Sequence, residues 1–288
     1  MTLFPLNNQS IWNNLWLNEL KNDPMKKTDT THYKKWDKRA EVFDKRSATP
    51  EAVARKERIL SMLTDAGALK TGSRVLDVGA GSGNWAISMA QMGARVVALE
   101  PSSGMIEILR QKIDTLGLDS DQISIRQQTW QEVDLEKDGL AGQFDLVFSS
   151  MNPGVCDPVT LDKVMQASRN FCYLSTFSGG SPGSRYTELL KQITGRTLEG
   201  RTWDFIYPFT YLYAQGYRPL IDFNVWDLDR EDTIEQAVEN ILFFIQGMTD
   251  VTPEIREKLT AYVTGKAVDG KFYDKQNVCQ GVMLWQVA

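Results

Sequence analysis

The pattern of apolar and polar positions changes near Arg74 and again near Phe177. Between these residues, short and nearly continuous apolar runs alternate with segments whose apolar residues recur every three or four positions. This alternation is typical of parallel strands buried on both faces and connected by covering helices. Strands are expected at Arg74–Val78, Arg95–Leu99, Ile123–Arg126, Phe144–Ser149 and Phe171–Thr176. Helices are expected near Asn84–Met92, Gly104–Leu116 and Pro158–Ser168, and right-handed crossovers then predict a doubly wound α/β fold.

The chain after Thr176 has a different pattern. SGGSPGS is a loop by composition, and a short helix is expected from Pro208 to Gly216, with Phe209, Leu212 and Tyr213 on one face. The run LIDFNVWDL predicts a sixth strand and NVCQGVMLWQVA a final one. Two helices are expected between these strands, roughly at Glu231–Gln246 and Pro253–Thr264.

The first 50 residues have helical character and precede the first strand. Tyr33, Trp36, Ala40 and Phe43 fall on one helical face, with Thr30 or Thr31 as an expected cap. This stripe is interpreted either as a core face or as the face of a lid over a binding site. The expected division is an N-terminal helical lid at 1–50 and a main domain at 51–288, with helical insertions at about 178–217 and 227–270.

The stretch VLDVGAGSGNWA contains the strongest chemical signal. Glycines stand at every second position, Gly79, Gly81 and Gly83, directly after a strand. Glycine permits positive φ and close approach of a ligand to the backbone, so a nucleotide-like cofactor is expected here. The spacing differs from the G-x-G-x-x-G of dinucleotide sites, because Asn84 stands where the third glycine would be. Asp77 would repel a pyrophosphate, whereas it would attract an amine or a sulfonium.

A second acid, Glu100, ends the second strand. A carboxylate at this position can accept hydrogen bonds from two ribose hydroxyls. Dinucleotide sites share that contact, so Asp77 and the glycine spacing decide between the cofactors.

VLDVGAGSGNWA followed by VVALEPSSGM resembles the class I S-adenosylmethionine-dependent methyltransferases over Arg74 to about Thr176. The resemblance implies a Rossmann-like methyltransferase fold, a mostly parallel seven-stranded sheet completed by the last two strands, with N-terminal and C-terminal helical additions. It implies S-adenosylmethionine as the cofactor. It also implies a set of cofactor-binding residues: Asp77, Gly79, Ala80, Gly81, Glu100, Pro101, Ser102, Met105, Thr129, Trp130 and Ser149.

The implied roles differ along this set. Asp77 corresponds to the contact near the methionine ammonium, Gly79 to Gly81 to the floor under the cofactor, and Glu100 to the ribose acid. Met105 is expected either on the adenine face or in the core. Many family members place an acid near the adenine amino group after the third strand, but this sequence has Thr129 and Trp130 there. Adenine recognition is therefore expected from backbone groups and ring contact.

No side chain is assigned a catalytic role. Methyl transfer from a sulfonium is a direct displacement that mainly requires an aligned nucleophile and exclusion of water. After the fourth strand, Asn152–Pro153 continues with Gly154 and Val155, which lacks the second proline and the aromatic residue of the N-P-P-Y type motif. Ser149 and Ser150 are candidates for cofactor or substrate contact or for strand-end capping, and Asp157 is expected to cap the next helix. His32, the single histidine, is left open as a general base or an ordinary surface residue.

The composition narrows the possible partners. The net charge of −5 argues against nucleic acid, because nucleic-acid binders usually carry a basic stripe. The basic run from Lys26 to Arg46 is interpreted either as a solvated helix face or as a surface that faces an anionic substrate. The three cysteines make neither a disulfide framework nor a metal site, and no metal is expected. No signal peptide or apolar span is recognised, so a cytoplasmic protein without a membrane partner is expected.

The sequence therefore predicts a methyltransferase that acts on a small molecule by in-line transfer. Tyr207, Phe209, Tyr211 and Tyr213, with Trp203 nearby, are interpreted as an aromatic wall for that molecule or as core. The alternatives are an RNA- or protein-directed methyltransferase and a non-catalytic subunit or sensor that binds S-adenosylmethionine. Asp77 and Asn84 disfavour a nicotinamide oxidoreductase. The oligomeric state is left open.

Overall fold

The computed structural model describes residues 8–22, 33–179, 186–195, 204–246 and 250–287 of the chain. Four residues named in the sequence expectations, Thr30, Thr31, His32 and Trp203, lie outside the described residues, as does most of SGGSPGS. Within the described residues, no helix combines the length and the apolar character needed to cross a membrane.

Seven strands form one sheet in the order β3-β2-β1-β4-β5-β7-β6. They are β1 (Arg74–Val78), β2 (Arg95–Leu99), β3 (Ile123–Arg126), β4 (Phe144–Ser150), β5 (Ser168–Phe177), β6 (Leu220–Thr233) and β7 (Lys271–Gln286). The first five pair in parallel, and β7 lies antiparallel between β5 and β6. The predicted doubly wound, mostly parallel seven-stranded sheet is confirmed.

Several helices of the described residues begin at a side-chain cap, whereas others begin without one. They are α1 (Gln9–Asn22), α2 (Lys34–Asp37), α3 (Ala40–Ser47), α4 (Pro50–Asp65), α5 (Asn84–Gln91), α6 (Ser103–Leu116), α7 (Pro158–Ala167), α8 (Tyr186–Thr194), α9 (Ile206–Ala214), α10 (Ile234–Ile245) and α11 (Pro253–Lys266). Asp157 caps α7 in a capping box with Thr160, as the sequence predicts. Thr233 forms the equivalent box with Gln236 at the start of α10.

Successive residues of the central strands pack into two hydrophobic cores, one on each face of the sheet. Val75 and Leu146 pack with α4 and α5 residues on one face of the sheet, whereas Leu76 and Val147 pack with α1, α7 and α9 residues on the other. All four side chains are fully buried. Because a strand covered on both faces has no polar face, the near-continuous apolar runs of the sequence are explained.

The last two strands are much longer than expected. The sequence predicts that the sixth strand ends at Leu228 and that a helix begins at Glu231, but β6 continues to Thr233 and β7 begins at Lys271. The helix begins later because the capping box of Thr233 fixes its first turn. Residues 227–233, the first part of the helical insertion expected at about 227–270, are therefore strand.

The extra length of β6 and β7 projects beyond the carboxyl edge of the parallel strands. The last pair between β5 and β7 is Phe177–Gln280, whereas β6 and β7 remain paired from Val225–Cys279 to Thr233–Lys271. At about 3.4 Å per residue this ribbon extends roughly 25–30 Å past the sheet. Helices α8, α10 and α11 form a third apolar core with Phe272 of β7. We call this ribbon and these three helices the roof.

The N-terminal segment is not one helix. Residues 33–47, which we call the strap, form α2 and α3 with a break at Lys38 and Arg39. Ala40 of the expected stripe is buried, whereas Phe43 is 43% exposed. The division into lid and main domain stays a prediction.

Candidate cofactor and acceptor site

The loop between β1 and α5 depends on glycine for both its conformation and its space. Gly79 has φ 78° and Gly83 has φ 82°, values in the left-handed region. A Cβ on Gly79 would lie 2.5 Å from Cγ of Asn152, and one on Gly83 would lie 2.2 Å from Cδ1 of Leu109. The backbone N–H groups of Gly79 and Ala80 donate to the carbonyl of Leu99 at 2.8 and 3.0 Å, which fixes the loop against the end of β2.

Asp77 lies directly beneath this loop and is 1% exposed. Its Oδ2 is buried and has no hydrogen-bond partner among the described residues. Burial, and then repulsion by Glu100, raise the pKa of Asp77 to about 8, although the Ala86 backbone N–H acts in the opposite direction. A buried acceptor atom of this kind is stabilised by a cation, which restores the ionised carboxylate.

Glu100, the residue after β2, stabilises the loop through two hydrogen bonds. Its Oε2 accepts from the Gly81 N–H and its Oε1 from the Ser102 N–H, both at 2.8 Å. Burial raises its pKa, against the lowering effect of these two hydrogen bonds. Each carboxylate oxygen has a second lone pair, so Glu100 can also accept from ligand hydroxyls.

The residues after Glu100 start helix α6. Ser102 is fully buried and caps the helix by accepting from the Met105 N–H at 3.3 Å. Pro101 is half-buried, and its carbonyl accepts from Gln127 at 3.4 Å. Met105 is 3% exposed, so its side chain lies in the interior at the start of the helix. Its contact with adenine stays a prediction.

Thr129 and Trp130 lie after β3, as expected, but their side chains are engaged within the protein. The Thr129 hydroxyl donates to Glu132 at 2.6 Å. Trp130 is 2% exposed and its indole N–H donates to the Thr160 carbonyl at 3.0 Å. Thr129 and Trp130 can therefore contact a ligand most directly through their backbone groups. The predicted contact of a ring with adenine stays a prediction.

Asn152 joins the ends of β1 and β4, a role that the cofactor-site prediction omitted. Its Nδ2 donates to the Val78 carbonyl at 2.9 Å and its Oδ1 accepts from the Gly154 N–H at 2.8 Å. The preceding residue, Met151, has φ 52°, a strained conformation outside glycine. Ser149 is fully buried, and its Oγ lies 3.4 Å from Asn152 Nδ2. The Asn-Pro-Gly sequence was the available signal for this turn.

Two carboxylates of the strap hold the cofactor motifs from above. Asp37 Oδ1 accepts from the Ser102 hydroxyl at 2.6 Å and from the Gly104 N–H at 3.0 Å. Asp44 Oδ1 accepts from the Ser82 hydroxyl at 2.6 Å and also pairs with Lys112. The sequence analysis did not identify these acids, because nothing local links residues 37 and 44 to loops more than thirty positions away.

The aromatic residues of the strap reach the glycine loop and the roof. Phe43 Cε1 lies 3.8 Å from the position that a Cβ of Gly81 would occupy. Trp36 contacts Phe43 edge to face at 5.8 Å between ring centroids and Phe243 of α10 at 5.0 Å. The strap therefore lies between the cofactor loop and the roof.

A narrow cavity lies beside Asn152, on the side of β4 and β5. It is lined by Trp16, Asn152, Val155, Cys156, Leu174, Thr176, Asp204 and Pro208. The lining combines apolar side chains with a few polar groups, and the free volume of about 10 Å³ is space for a single water molecule.

The aromatic segment around α9 does not form one wall. The helix begins at Ile206, two residues before Pro208. Tyr211 is buried and its hydroxyl donates to Asp162 at 2.9 Å, whereas Tyr213 is 38% exposed and lies under Arg218. Phe209 stacks on Phe205. Most of these rings therefore serve packing, and Pro208 is the member of this helix that lines the cavity.

Comparison with known proteins agrees with the motif. Residues 75–172 match the family described as "Methyltransferase domain". The S-adenosyl-L-methionine-dependent Diels-Alderase iliD of Neonectria sp. (strain DH2) is 33% identical over 93 residues, which cover 32% of this chain and 38% of that protein. A protein-L-isoaspartate O-methyltransferase of Methylorubrum populi is 43% identical over 60 residues, which cover 21% of this chain and 28% of that enzyme. The chain thus spans well under half the length of the curated relatives it matches.

Solved structures share the fold at low sequence identity. A Bacillus halodurans protein with a provisional methyltransferase name gives a TM-score of 0.52 at 17% identity, covering 79% of this chain and 98% of that one. A Galdieria sulphuraria protein provisionally named a sarcosine dimethylglycine methyltransferase gives 0.50 at 15% identity, covering 82% and 86%.

The sheet order and the glycine loop with its two acids agree with the family match, which identifies residues 75–172 as a methyltransferase domain with S-adenosylmethionine as its cofactor. The residues fit that cofactor. The buried Oδ2 of Asp77, which has no hydrogen-bond partner among the described residues, suits a cationic group, and the open Cβ position of Gly81, with Phe43 at 3.8 Å, suits close approach to the backbone.

Proposed function

We propose that this chain transfers a methyl group from S-adenosylmethionine to a small molecule. The observation that carries the proposal is the buried Oδ2 of Asp77, which has no partner among the described residues and lies beneath the glycine loop. A carboxylate there favours a positively charged ligand and disfavours a diphosphate. The wider activity and the acceptor class are inferred from this site.

We assign the cofactor contacts from the same geometry. Asp77 would hold the amino group, Gly79 to Gly81 would lie against the methionine part, and Glu100 would accept from the ribose hydroxyls. Ser102 and the backbone after β3 would then border the adenine. Asn152 would close the floor between β1 and β4, because its amide spans both strand ends.

The bound cofactor would supply a methyl group on a sulfonium, which is a good leaving group. The work left to the protein is to hold the acceptor in line and to exclude water, and good orientation can contribute about 7–11 kcal/mol. Val155, Leu174 and Pro208 line the apolar side of the cavity beside Asn152, where an acceptor would be dry. No described side chain is assigned as a general base.

A small molecule is favoured over a macromolecule by the covering elements. The strap lies against the loops at the carboxyl edge of the sheet, and residues of α1 and α9 cover the narrow cavity beside Asn152. The net charge of −5 also disfavours nucleic acid as the acceptor.

Cofactor binding is tested by titration calorimetry with S-adenosylmethionine, S-adenosylhomocysteine and NAD. Binding of the first two and not of NAD is expected. Asp77→Asn should weaken S-adenosylmethionine by about 1.5–3 kcal/mol, the worth of a hydrogen bond to a charged group. Tight binding of NAD alone would overturn the proposal.

Turnover is tested with S-adenosylmethionine labelled in its methyl group. The labelled cofactor is incubated with metabolite extract, RNA and protein fractions, with Asp77→Asn at the same cofactor concentration as the control with weakened cofactor binding. Label in a small metabolite is expected, whereas label only in macromolecules would contradict the acceptor class. Binding without label in any fraction would favour a non-catalytic S-adenosylmethionine protein.

A further inference from the structure

Three arginines meet where the strap contacts the roof. Arg39 precedes α3, Arg46 lies in its last turn, and Arg230 lies on the projecting part of β6. We call them the arginine cluster. They lie close enough to repel one another: the pKa values of Arg39 and Arg46 are lowered first by burial and then by Arg230.

The charges of the arginine cluster are not neutralised by direct contact. None of the three forms an ion pair with a carboxylate within the described part of the chain. Asp232 raises the pKa values of both Arg39 and Arg46 and so opposes the effect of Arg230. Its Oδ2 accepts from the side-chain amide of Asn240 at 2.8 Å. Glu239 pairs with Arg256.

A third acid lies opposite Arg230. Asp274, its register partner on β7, accepts from Tyr186 at 3.2 Å and from Gln276 at 3.0 Å. The Nε of Arg230 is nevertheless buried and has no hydrogen-bond acceptor among the described residues. A buried donor without an acceptor is costly, and a bound oxyanion would supply the acceptor.

Surrounding side chains hold Arg39 of the cluster in place. The Arg39 guanidinium lies 4.5 Å from the centroid of the Phe243 ring and donates to Oδ1 of Asn240, which is 6% exposed. Lys35 adds a further amine 5.0 Å from the same ring. These contacts fix a positive surface in position before any ligand arrives.

The position of the cluster relates it to the cofactor loop. Arg39, Phe43 and Arg46 are spaced as i, i+4 and i+7, so they lie along one side of α3. Phe43 is the residue of this stripe that faces Gly81. The arginine cluster therefore borders the mouth of the cofactor crevice, with the ribbon of β6 and β7 on its far side.

We propose that the arginine cluster binds an oxyanion of the methyl acceptor, a carboxylate or a phosphate group. This inference rests on the proposed function, since it names the class of molecule that the site accepts. Arginine suits both anions because its planar fork donates two parallel hydrogen bonds. The acceptor would place its charged group between strap and roof and its reacting atom toward the cavity beside Asn152.

The cofactor's own carboxylate is the alternative source of this chemistry. This alternative is disfavoured because the cofactor's carboxylate is already partly neutralised by the neighbouring ammonium group, so it does not require three arginines. The cluster also stands on the roof side of Phe43, whereas Asp77 lies below the loop.

Anion binding is tested without cofactor or turnover. Inorganic phosphate and succinate are titrated by calorimetry and by thermal unfolding into the wild type, Arg46→Gln and Arg230→Gln. Arg55→Gln is the matched control, because Arg55 also lies on an aromatic ring, Trp226, but outside the cluster. Each cluster variant should weaken at least one anion about tenfold or more, whereas the control should stay within twofold of the wild type.

Two outcomes overturn the proposal. One is the absence of phosphate and succinate binding at millimolar concentration in the wild type. The other is binding that Arg46→Gln and Arg230→Gln leave unchanged. Although burial lowers the pKa of Arg46, the residue as a whole remains exposed, so its variant is expected to fold. Circular dichroism and the unfolding temperature without anion check this.

The two sources of the anion are separated with S-adenosylhomocysteine. Arg46→Gln should bind it within twofold of the wild type, while an acceptor found by labelling should show a KM raised about tenfold with kcat little changed. A matching tenfold loss of S-adenosylhomocysteine would assign the cluster to the cofactor and overturn the acceptor site. Anion binding without any methyl transfer would leave the oxyanion site standing and remove its link to an acceptor.

Discussion

At the scale of single residues, the protonation of Asp77 links cofactor binding to the stability of the fold. The buried carboxyl holds its proton up to about pH 8 in the folded protein without ligand. Below the ordinary aspartate pKa, both the folded and the unfolded chain carry the proton and the group has no effect. As the pH rises toward 8, the unfolded chain loses the proton and the folded chain retains it, so Asp77 progressively destabilises the fold.

Asp77→Asn removes this pH dependence. Without cofactor, the variant should gain free energy of unfolding relative to the wild type as the pH rises from 5 to 8.5, on the order of several kcal/mol at most. Urea unfolding at both pH values measures the difference between the two proteins, so the titration of other groups cancels. A difference that stays constant across this range would contradict the raised pKa.

Cofactor binding should depend on the same proton. A cation beside Asp77 stabilises its ionised form, so binding below pH 8 should release a proton. Calorimetry of S-adenosylmethionine in buffers of different ionisation enthalpy measures this release, and Asp77→Asn serves as the control. Equal proton release by both proteins would assign the proton to another group.

A comparison of alanine substitutions at Gly79 and Gly117 separates the cost of the backbone conformation from the cost of a steric clash. Both have positive φ, 78° and 64°, but a Cβ on Gly117 would meet nothing within 4 Å. Gly117→Ala should therefore cost only the left-handed conformation, about 1–3 kcal/mol. Gly79→Ala should cost more and weaken cofactor binding, because its Cβ would displace Asn152. Urea unfolding and calorimetry of both variants decide this, and equal costs would refute the role of Asn152.

At the scale of elements, the strap is held to the cofactor motifs by two carboxylates. Asp37 caps the start of α6, and its hydrogen bonds keep its pKa below the ordinary value although burial opposes this. Its stabilising effect is fully present above the aspartate pKa of the unfolded chain and is lost as the pH falls through the lower folded value.

Asp37→Asn should loosen the strap without unfolding the sheet. The expected loss is about 0.5–2 kcal/mol, as for other helix N-caps. Limited trypsin digestion measures the effect, because the strap offers exposed Lys38 and Lys45. Cleavage should be faster in the variant, and Glu257→Gln, a change at an exposed residue of α11, should leave the rate unchanged. Unchanged cleavage in Asp37→Asn would show that other contacts hold the strap.

Elements were predictable where local pattern and burial agree. The bounds of β1, β2 and β3 follow from the apolar runs, because a strand covered on both faces leaves a continuous signal. The second half of β6, LDREDT, has four consecutive charged residues and therefore no apolar strand pattern. Its pairing with β7 depends on residues about forty positions away. Similarly, the break between α2 and α3 arises from contacts with α6 and α10 that no local signal encodes.

At the scale of the whole molecule, the roof has its own apolar core. Ile245 is fully buried in the roof and Val147 is fully buried in the sheet. Truncating either side chain to alanine is expected to cost about 2–5 kcal/mol or somewhat less for the smaller valine. The two changes differ in where that cost is expressed.

Ile245→Ala should raise hydrogen exchange in α8, α10 and α11 while the central strands keep their protection. Val147→Ala should lower protection throughout the molecule. Hydrogen exchange followed by mass spectrometry compares the two variants, and S-adenosylhomocysteine binding should survive only mildly changed in Ile245→Ala. Uniform loss of protection in both variants would show that roof and sheet unfold as one unit.

The candidate site was predictable in part for the same reason. Asp77, the glycines and Glu100 lie within one strand–loop–helix–strand unit, so their sequence spacing determines where they meet. Asp37, Asp44 and the arginine cluster reach the site from distant segments, and only the packed chain brings them there. Trp130 illustrates the limit of position alone, because it stands at the expected place but points its ring into the core.

Because β7 lies inside the sheet, the sheet can be completed only late in the synthesis of the chain. This strand is the seventh along the chain, yet it separates β5 from β6. A nascent chain that has emerged through β6 lacks the strand to which β6 hydrogen-bonds, and the flank of β5 is still unpaired. Chaperones that recognise exposed strand edges would therefore have their longest opportunity just before translation reaches Lys271, and the roof can close only after that segment has left the ribosome.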